Sequence, residues 1–509
     1  MLPDDLHKFG TDMGPSIIVT AAVGLLMLVG FLTFKSVSSD DVLPGIPELK
    51  GFPILGALPM YLKHGAPQLL GKLIALGDNG ISYTKVGNRF LVSVHDPAMI
   101  REVLTYSGEI ASRDGDPRRV SWSPFSTLQR LIGHNLFNCV GPETSHQRGV
   151  FIREFNNTKS NFAKFDTINK VATAHVNALA DDGLATEIAN ITNRVDNFAL
   201  ALWGETLYGN PQNHVGGRVL HLSEIVLDLA GNPWPSVWYG FQLFLKLVSP
   251  GEPTRSEAKL RAKIEKVVEG NMEILEEYER HNPDAPLKTI RNLSVMSGGG
   301  RRGPLSPFAA EFTSLNIFAG HHSMGSNITW SLIELNKHPE CMEKLMTEMN
   351  SANTIDFTTI NSKMPYLDAV IMEVNRLYPV VHATVRVINR ETPLASSKKP
   401  AILKPGMLIY LSYLHLQTST KYWGPDAKEF IPERFLGGYN KDQPLMSFGY
   451  GPRNCVGYQF AILSAKVFLV RLLQRYRVNV RDHDHEMKVN TLIETTKPVV
   501  VTVSPVNSV

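Results

Sequence analysis

The sequence predicts a mainly α-helical protein with a minor β part, preceded by a single membrane-spanning helix. Helical periodicity dominates the chain beyond residue 60, as in EAKLRAKIEKVVEGNMEILEEYERH at residues 257–281. Strand-like runs are short, such as FLVSVH at residues 90–95 and VVVTVS at residues 499–504. One uncharged, strongly apolar stretch lies at residues 13–34.

The composition excludes several classes of protein. The 509 residues are 43% hydrophobic and 19% charged, which fits neither a disordered chain nor a coiled coil. The net charge is only +3, so nucleic acid is not expected as a main partner. The three cysteines, Cys139, Cys341 and Cys455, are too few for a disulfide framework or a four-cysteine zinc site, and they fit a reducing compartment.

The N-terminal region divides into a flank at residues 1–12, the apolar segment at residues 13–34 and a linker at residues 35–59. As a helix, the apolar segment would span about 33 Å, which is enough to cross a bilayer. A cleaved signal peptide is the alternative, but the flank is acidic rather than basic and the apolar run is too long. We therefore expect a retained membrane anchor with the body of the chain in the cytoplasm.

Proline dominates the segment after the anchor. Pro44, Pro47, Pro53 and Pro59 fix the backbone φ angle and remove hydrogen-bond donors. This spacing predicts a stiff, extended linker, with the catalytic domain at residues 60–509.

The segment FGYGPRNCVG, residues 448–457, surrounds Cys455 with features that suit a flat ligand. Glycines such as Gly451 let the backbone approach a ligand closely, and Arg453 can pair with a carboxylate. The helix predicted directly afterwards would place its positive end near the sulfur and favour a thiolate. The alternative is a buried, inert cysteine, which is the usual state of a single cysteine.

With Phe448, this loop resembles the cysteine loop of the haem-thiolate monooxygenases, the cytochrome P450 family. Glu373 and Arg376, spaced i,i+3 in LDAVIMEVNRLYP, resemble the family's ExxR motif. Arg434 in FIPERF matches the arginine that completes a buried network with that pair. The resemblance covers roughly residues 44–504 and is greatest to membrane-anchored microsomal members, in particular those of fungal secondary metabolism.

The resemblance implies a haem b cofactor with Cys455 as the axial ligand of the iron and with Phe448, Gly451 and Arg453 beside it. Arg386 and Arg148 match the family's arginines for the haem propionates. The family usually has an aromatic residue or histidine four positions before Arg148, where this chain has Thr144.

The predicted long helix at residues 306–337 carries AGHHSMGS in its middle. Gly320 and Ser323 match the family's oxygen-binding motif, although His322 stands where an acid is usual and Ser323 where threonine is usual. The resemblance thus implies catalytic roles for Gly320, His322 and Ser323, with His322 exchanging protons near neutrality because its ordinary pKa is ~6.5. In the alternative, His322 points away and water alone supplies Ser323.

The resemblance also implies the walls of a largely apolar substrate pocket. They would come from residues 122–128, 381–384 and 495–496 and from the long helix, with Phe312, Asn316, Ala319, Val381 and Thr495 as the main candidates.

The implied activity is oxidation of a lipophilic small molecule, such as a terpenoid or another secondary metabolite, at the endoplasmic reticulum membrane. No complete dinucleotide fingerprint is present, so electrons from NADPH would come through a separate NADPH-cytochrome P450 reductase. Its basic docking face would include Arg148, Arg153, Lys466, Arg471, Arg475 and Arg477. Two alternatives are a haem-thiolate rearrangement or dehydration without net oxygen insertion, and a haem-binding carrier or sensor.

Overall fold

The computed structural model describes residues 43–52, 56–77, 79–86, 89–112, 142–180, 184–208, 262, 269, 307–437, 443–489 and 492–506. The predicted anchor, the pocket segment at residues 122–128 and Cys139 lie outside these ranges. Within them, no helix is both long enough and apolar enough to cross a bilayer.

Helices make up most of the described chain, as predicted. They are α1 (Leu58–Leu76), α2 (Pro97–Thr105), α3 (Pro142–Phe155), α4 (Thr158–Asn177), α5 (Ile191–Trp203), α6 (Pro307–Lys337), α7 (Pro339–Ser351), α8 (Phe357–Ser362), α9 (Pro365–Leu377), α10 (Tyr413–Gln417), α11 (Thr420–Trp423) and α12 (Tyr458–Arg475). A π-helical turn at Gly204–Tyr208 extends α5, and 3-10 turns lie at Pro432–Phe435 and Gly451–Arg453.

The strands form a minor part, again as predicted. They are β1 (Glu48–Leu49), β2 (Ile81–Val86), β3 (Arg89–Val94), β4 (Ala111–Ser112), β5 (Thr186–Ile188), β6 (Ala383–Ile388), β7 (Thr392–Pro393), β8 (Ile402–Leu403), β9 (Leu408–Ser412), β10 (Tyr476–Val480), β11 (Met487–Val489), β12 (Ile493–Thr495) and β13 (Val501–Pro505). The largest described sheet has the order β1-β2-β3-β9-β6-β4. Strands β10, β13 and β5 form a second sheet, and β11 and β12 form a separate hairpin.

The folded body begins earlier than the predicted boundary at residue 60. Strand β1 pairs with β2, and the Tyr83 N–H donates to the Pro47 carbonyl at 3.0 Å. Helix α1 already begins at Leu58, with Pro59 in its first turn, where a missing N–H costs no helical hydrogen bond. Pro47 therefore lies beside the edge strand of the sheet, and Pro59 lies at a helix start.

Helix α6 crosses the main apolar core, packed against α5, α9 and α12. Two glycines let α5 approach closely: a Cβ atom at Gly320 would overlap the Trp203 ring, and one at Gly325 would overlap the Asp196 carboxylate. Near the end of α6, Trp330 stacks on Tyr378 with ring centroids 3.9 Å apart. These contacts fix α6 relative to the elements that carry the site.

Candidate functional site

The loop around Cys455 has a shape that requires glycine. The Cys455 N–H donates to the Phe448 carbonyl at 2.7 Å and closes the loop. Gly449 and Gly451 adopt φ angles of 75° and 68°, in the left-handed region that glycine tolerates best. A Cβ atom at Gly451 would lie 3.2 Å from the Leu104 carbonyl oxygen, so this position is also tightly packed.

The two cysteines within the described residues occupy different environments. Cys341 lies in the apolar core with 3% of its surface exposed, and burial raises the pKa of its thiol. Cys455 is exposed, at the end of the loop and three positions before the start of α12. Only Cys455 of these two is therefore placed to bind a ligand.

Arg386 on β6 is a buried cation. Its side chain is 4% exposed and donates to the Val385 carbonyl at 2.8 Å and to the Thr384 hydroxyl at 3.3 Å. Within the described part of the chain, no carboxylate pairs with it. Burial lowers the pKa of Arg386, and the nearby charge of Arg453 acts in the same direction. A buried guanidinium in this state is stabilised by an anionic ligand.

Two further arginines converge on the same loop. Arg148 on α3 donates to the backbone and side-chain oxygens of Asn454 at 2.6 and 3.1 Å. Arg453 donates to the Thr144 hydroxyl at 3.3 Å, so the unusual Thr144 contacts the cysteine loop. Together with Arg386, these residues form a cationic cluster next to Cys455, which fits the two carboxylates of a haem.

The predicted network of Glu373, Arg376 and Arg434 is present. Arg376 makes a bidentate pair with Glu373, with both N–O distances at 2.7 Å, and both side chains are fully buried. The Arg434 Nε atom lies 3.5 Å from Glu373, while its Nη2 pairs with Asp426 at 2.9 Å. These charged side chains pair with one another and with backbone carbonyls, so their role is to stabilise the fold.

The structure adds Gln417, which the sequence reasoning missed. Its amide nitrogen donates to the carbonyls of Asn375 and Arg376, and its oxygen accepts from the Met446 N–H at 2.5 Å. The Ser447 hydroxyl also donates to the Asn375 carbonyl at 2.6 Å. Gln417 thereby links the ExxR helix α9 to the segment, residues 446–447, that leads into the cysteine loop. In sequence it is an ordinary polar residue at a helix end, so no pattern identifies it.

On α6, Ser323 and His322 make different contacts. The Ser323 hydroxyl donates to the Ala319 carbonyl at 2.7 Å and lies 3.4 Å from the Gly320 carbonyl. His322 lies between two carboxylates, with Nδ1 3.3 Å from Asp196 and Nε2 3.2 Å from Glu494.

The protonation of His322 differs from the expectation. Burial disfavours its charged form, but the hydrogen bonds and charges of Asp196 and Glu494 outweigh burial and raise its pKa to about 10. His322 therefore keeps its proton at neutral pH, and the predicted exchange near pH 6.5 does not hold. The sequence analysis also missed Asp196 and Glu494.

Several predicted pocket elements come together. The Ser326 hydroxyl on α6 donates to the Ile493 carbonyl at 2.9 Å, and the Ile493 N–H donates to the Val380 carbonyl at 2.8 Å. The hairpin that carries Thr495 therefore lies beside α6, and the segment that carries Val381 lies beside the hairpin. Phe312, Asn316 and Ala319 all belong to α6, but the side chains of Phe312 and Asn316 lie outside the described part.

The predicted basic docking face loses two of its members. Lys466 is 3% exposed, pairs with Asp368 and donates to the Ile360 carbonyl. Arg148 is also buried. Both side chains point inward because they satisfy internal acceptors, so neither is available to a docking protein.

Comparison with known proteins assigns the family. The family model described as Cytochrome P450 matches residues 46–503. The chain belongs to the cytochrome P450 family. This P450 is 24% identical to secologanin synthase 1 of Catharanthus roseus over 413 residues, which cover 78% of this chain and 76% of the relative.

Two other relatives align over a shorter part of the chain but with higher sequence identity. Cytochrome P450 3A12 of Canis lupus familiaris is 32% identical over 205 residues, covering 37% of this chain and 38% of the relative. Cytochrome P450 monooxygenase claP of Ampulloclitocybe clavipes is 36% identical over 180 residues, covering 31% and 34%. These relatives come from a plant, an animal and a fungus, so they do not single out fungal members. This P450 is a haem monooxygenase, and its family implies a haem iron with a cysteine thiolate ligand.

Proposed function

We propose that this cytochrome P450 hydroxylates a lipophilic small molecule, using O2 and electrons from NADPH, with Cys455 as the thiolate ligand of its haem. The observation that carries the proposal is the exposed Cys455 thiol beside the cationic cluster of Arg148, Arg386 and Arg453. When bound, the haem supplies oxygen activation, which the electron density of the thiolate favours. In the same proposal, Phe448 and Gly451 shape the loop and the three arginines hold the propionates.

Proton delivery is assigned to Ser323. Its hydroxyl already donates to the Ala319 carbonyl, and a hydroxyl can both donate and accept a proton within one hydrogen-bonded chain. The Gly320 carbonyl, 3.4 Å from the same oxygen, is a second acceptor for this hydroxyl. His322 keeps its charge at neutral pH, so it contributes through its contacts rather than by releasing protons.

The substrate class follows from the predicted pocket walls. Phe312, Ala319 and Val381 are apolar, while Asn316 and Thr495 supply the few polar groups that orient a lipophilic skeleton. A terpenoid or another secondary metabolite suits such a pocket, and this choice depends on the family resemblance.

The electron donor and location complete the proposal. A separate NADPH-cytochrome P450 reductase would dock on exposed cations such as Arg477. Residues 13–34 would anchor the protein in the endoplasmic reticulum membrane, with the catalytic domain on the cytoplasmic side.

Co-expression with a reductase tests the proposal. Extracted metabolites would be profiled in the presence of isotopically labelled O2, with Cys455→Ala as the inactive control. We expect a new product that carries one labelled oxygen atom. A product without label would favour the rearrangement or dehydration alternative, and a haem-loaded protein that gives no product would favour the carrier or sensor.

A further inference from the structure

The hairpin of β11 and β12 is fastened to α6 by two side chains one helical turn apart. His322 lies 3.2 Å from the Glu494 carboxylate, and the Ser326 hydroxyl donates to the Ile493 carbonyl at 2.9 Å. From the other side, the Ile493 N–H donates to the Val380 carbonyl at 2.8 Å. The hairpin is thus held between α6 and the segment that leads into β6.

The opposite edge of the His322 ring joins a third element. Its Nδ1 atom lies 3.3 Å from Asp196 on α5, so one imidazole connects α5, α6 and the hairpin. Both ring nitrogens donate only when the imidazole is protonated, and a carboxylate at each nitrogen favours that form. The side chains are 14%, 13% and 30% exposed for His322, Asp196 and Glu494, so water screens these contacts incompletely.

Close packing at Gly325 brings the Asp196 carboxylate up to α6. A Cβ atom at Gly325 would overlap the Asp196 carboxylate, so the absence of a side chain there lets Asp196 reach α6. One oxygen of Asp196 is buried without a hydrogen-bond partner among the described residues. The carboxylate therefore depends on His322 for its compensation, and removing either partner leaves a buried charge.

We propose that Asp196, His322 and Glu494 form a charged clamp that fixes the β11–β12 hairpin against α6 and thereby sets which position of the substrate is oxidised. The inference rests on the proposed function, because it takes the hairpin residue Thr495 as part of the substrate wall. The three clamp residues are positioning residues, since they act through the hairpin.

The test uses full-length, haem-loaded protein. Glu494→Ala removes the hairpin's share of the clamp, Asp196→Asn weakens the α5 side, and Glu494→Gln keeps a hydrogen-bond acceptor for His322. The matched control is Asp484→Asn, because Asp484 is an exposed carboxylate near the same hairpin that pairs with Lys497 at 2.6 Å. Hydrogen exchange of residues 487–495 measures the hairpin, and titration of the haem absorption band with imidazole and 4-phenylimidazole measures the pocket.

In Glu494→Ala, exchange of the hairpin amides should rise by about tenfold, because local opening no longer breaks a charged contact. The ratio of the two dissociation constants should change by about fivefold, as expected for residues coupled through direct contact. Imidazole is small, so its own affinity should stay unchanged. Glu494→Gln should restore most of both effects, and Asp484→Asn should resemble the unmodified protein.

Unchanged exchange and an unchanged ratio in both Glu494→Ala and Asp196→Asn would overturn the clamp. So would a variant that diverts electrons to peroxide while its azole ratio is normal, because this result would assign the cluster to proton delivery. Hydrogen exchange and azole titration need no turnover, whereas the peroxide measurement does. A failure of the proposed monooxygenase function would instead appear as an unmodified protein that makes no product with reductase and NADPH.

Discussion

His322 stands where the resemblance to the family predicts an acid, and in this chain two acids are its neighbours instead. A cationic side chain occupies the position where an anion was expected, and Asp196 and Glu494 supply negative charge from other elements. Opposite charges therefore still face one another in this region, but the cation is on α6 and the anions are on α5 and β12. A histidine held between two carboxylates stays charged, whereas an isolated histidine would titrate near neutrality.

The raised pKa of His322 makes a prediction about stability. Its folded-state value of about 10 exceeds the unfolded value of ~6.5, so the stabilisation is complete below pH 6.5 and is lost as the pH rises toward 10. We expect His322→Gln to reduce the free energy of unfolding by about 2 kcal/mol at pH 6.5 and by much less at pH 10. Denaturant unfolding at several pH values measures this difference. The exposed His483, replaced in the same way, serves as the control, and a pH-independent difference would contradict the assignment.

Cys455 makes the second prediction at this scale. Replacing it with alanine should abolish activity and the thiolate-type absorption band of the reduced, carbon-monoxide-bound haem, because the sulfur is the proposed ligand. Cys341→Ala should keep that band, since this thiol is buried away from the loop. Retention of the band in Cys455→Ala would disprove the ligand assignment.

The third prediction concerns the hydroxyl of Ser323. Ser323→Ala removes a hydroxyl whose present acceptor is the Ala319 carbonyl, so haem loading should be unaffected. Product formed per NADPH consumed should fall by about tenfold or more, with the missing electrons recovered as peroxide. Ser331→Ala is a suitable control, because Ser331 makes the same kind of contact with a preceding carbonyl but lies further along α6. Unchanged coupling in Ser323→Ala would place the proton route elsewhere.

At the scale of elements, the connection between α9 and the cysteine loop depends on Gln417. We expect Gln417→Leu to lower the free energy of unfolding by about 3 kcal/mol, because two carbonyls and one N–H would lose a buried partner. Haem content per protein should fall in parallel, since Met446 leads directly into the loop. Absorbance and thermal unfolding measure both quantities. Gln474→Leu, at an exposed position on α12, should change neither, and normal haem content in Gln417→Leu would contradict the link.

The elements themselves were largely predictable, but their long-range contacts were not. The helical pattern that predicts α6 and the spacing of Glu373 and Arg376 are local properties, and both the helix and the ion pair appear in the structure as predicted. Asp196 and Glu494 meet His322 from 126 and 172 residues away, and Gln417 meets Met446 across 29 residues. Such pairs follow from how elements pack, which residue periodicity does not encode. The same reason explains why Lys466 was expected on the surface.

At the scale of the whole molecule, the apolar segment before the body makes the last prediction. Deleting residues 1–34 should move most of the protein from the membrane fraction to the soluble fraction, because the proposed anchor, an uncharged segment of this length, would provide most of the membrane affinity. Haem content should stay normal, since Leu43, which lies beyond the deletion, is buried in an apolar core that the deletion leaves in the chain. Fractionation and haem absorbance provide the measurements. A deletion of residues 1–12 alone is the control, and loss of haem in the longer deletion would show that the segment belongs to the fold.

The contacts of Gln417 and Asn375 with Met446 and Ser447 have a consequence for how the cofactor is acquired. These hydrogen bonds join protein atoms only, so the backbone leading to Cys455 loses its conformational entropy when the polypeptide folds. We expect haem association to order few additional residues, so that more of its contact energy remains as affinity. We therefore expect haem to dock onto a loop that the folded polypeptide has already shaped, with a loading rate that rises in proportion to haem concentration.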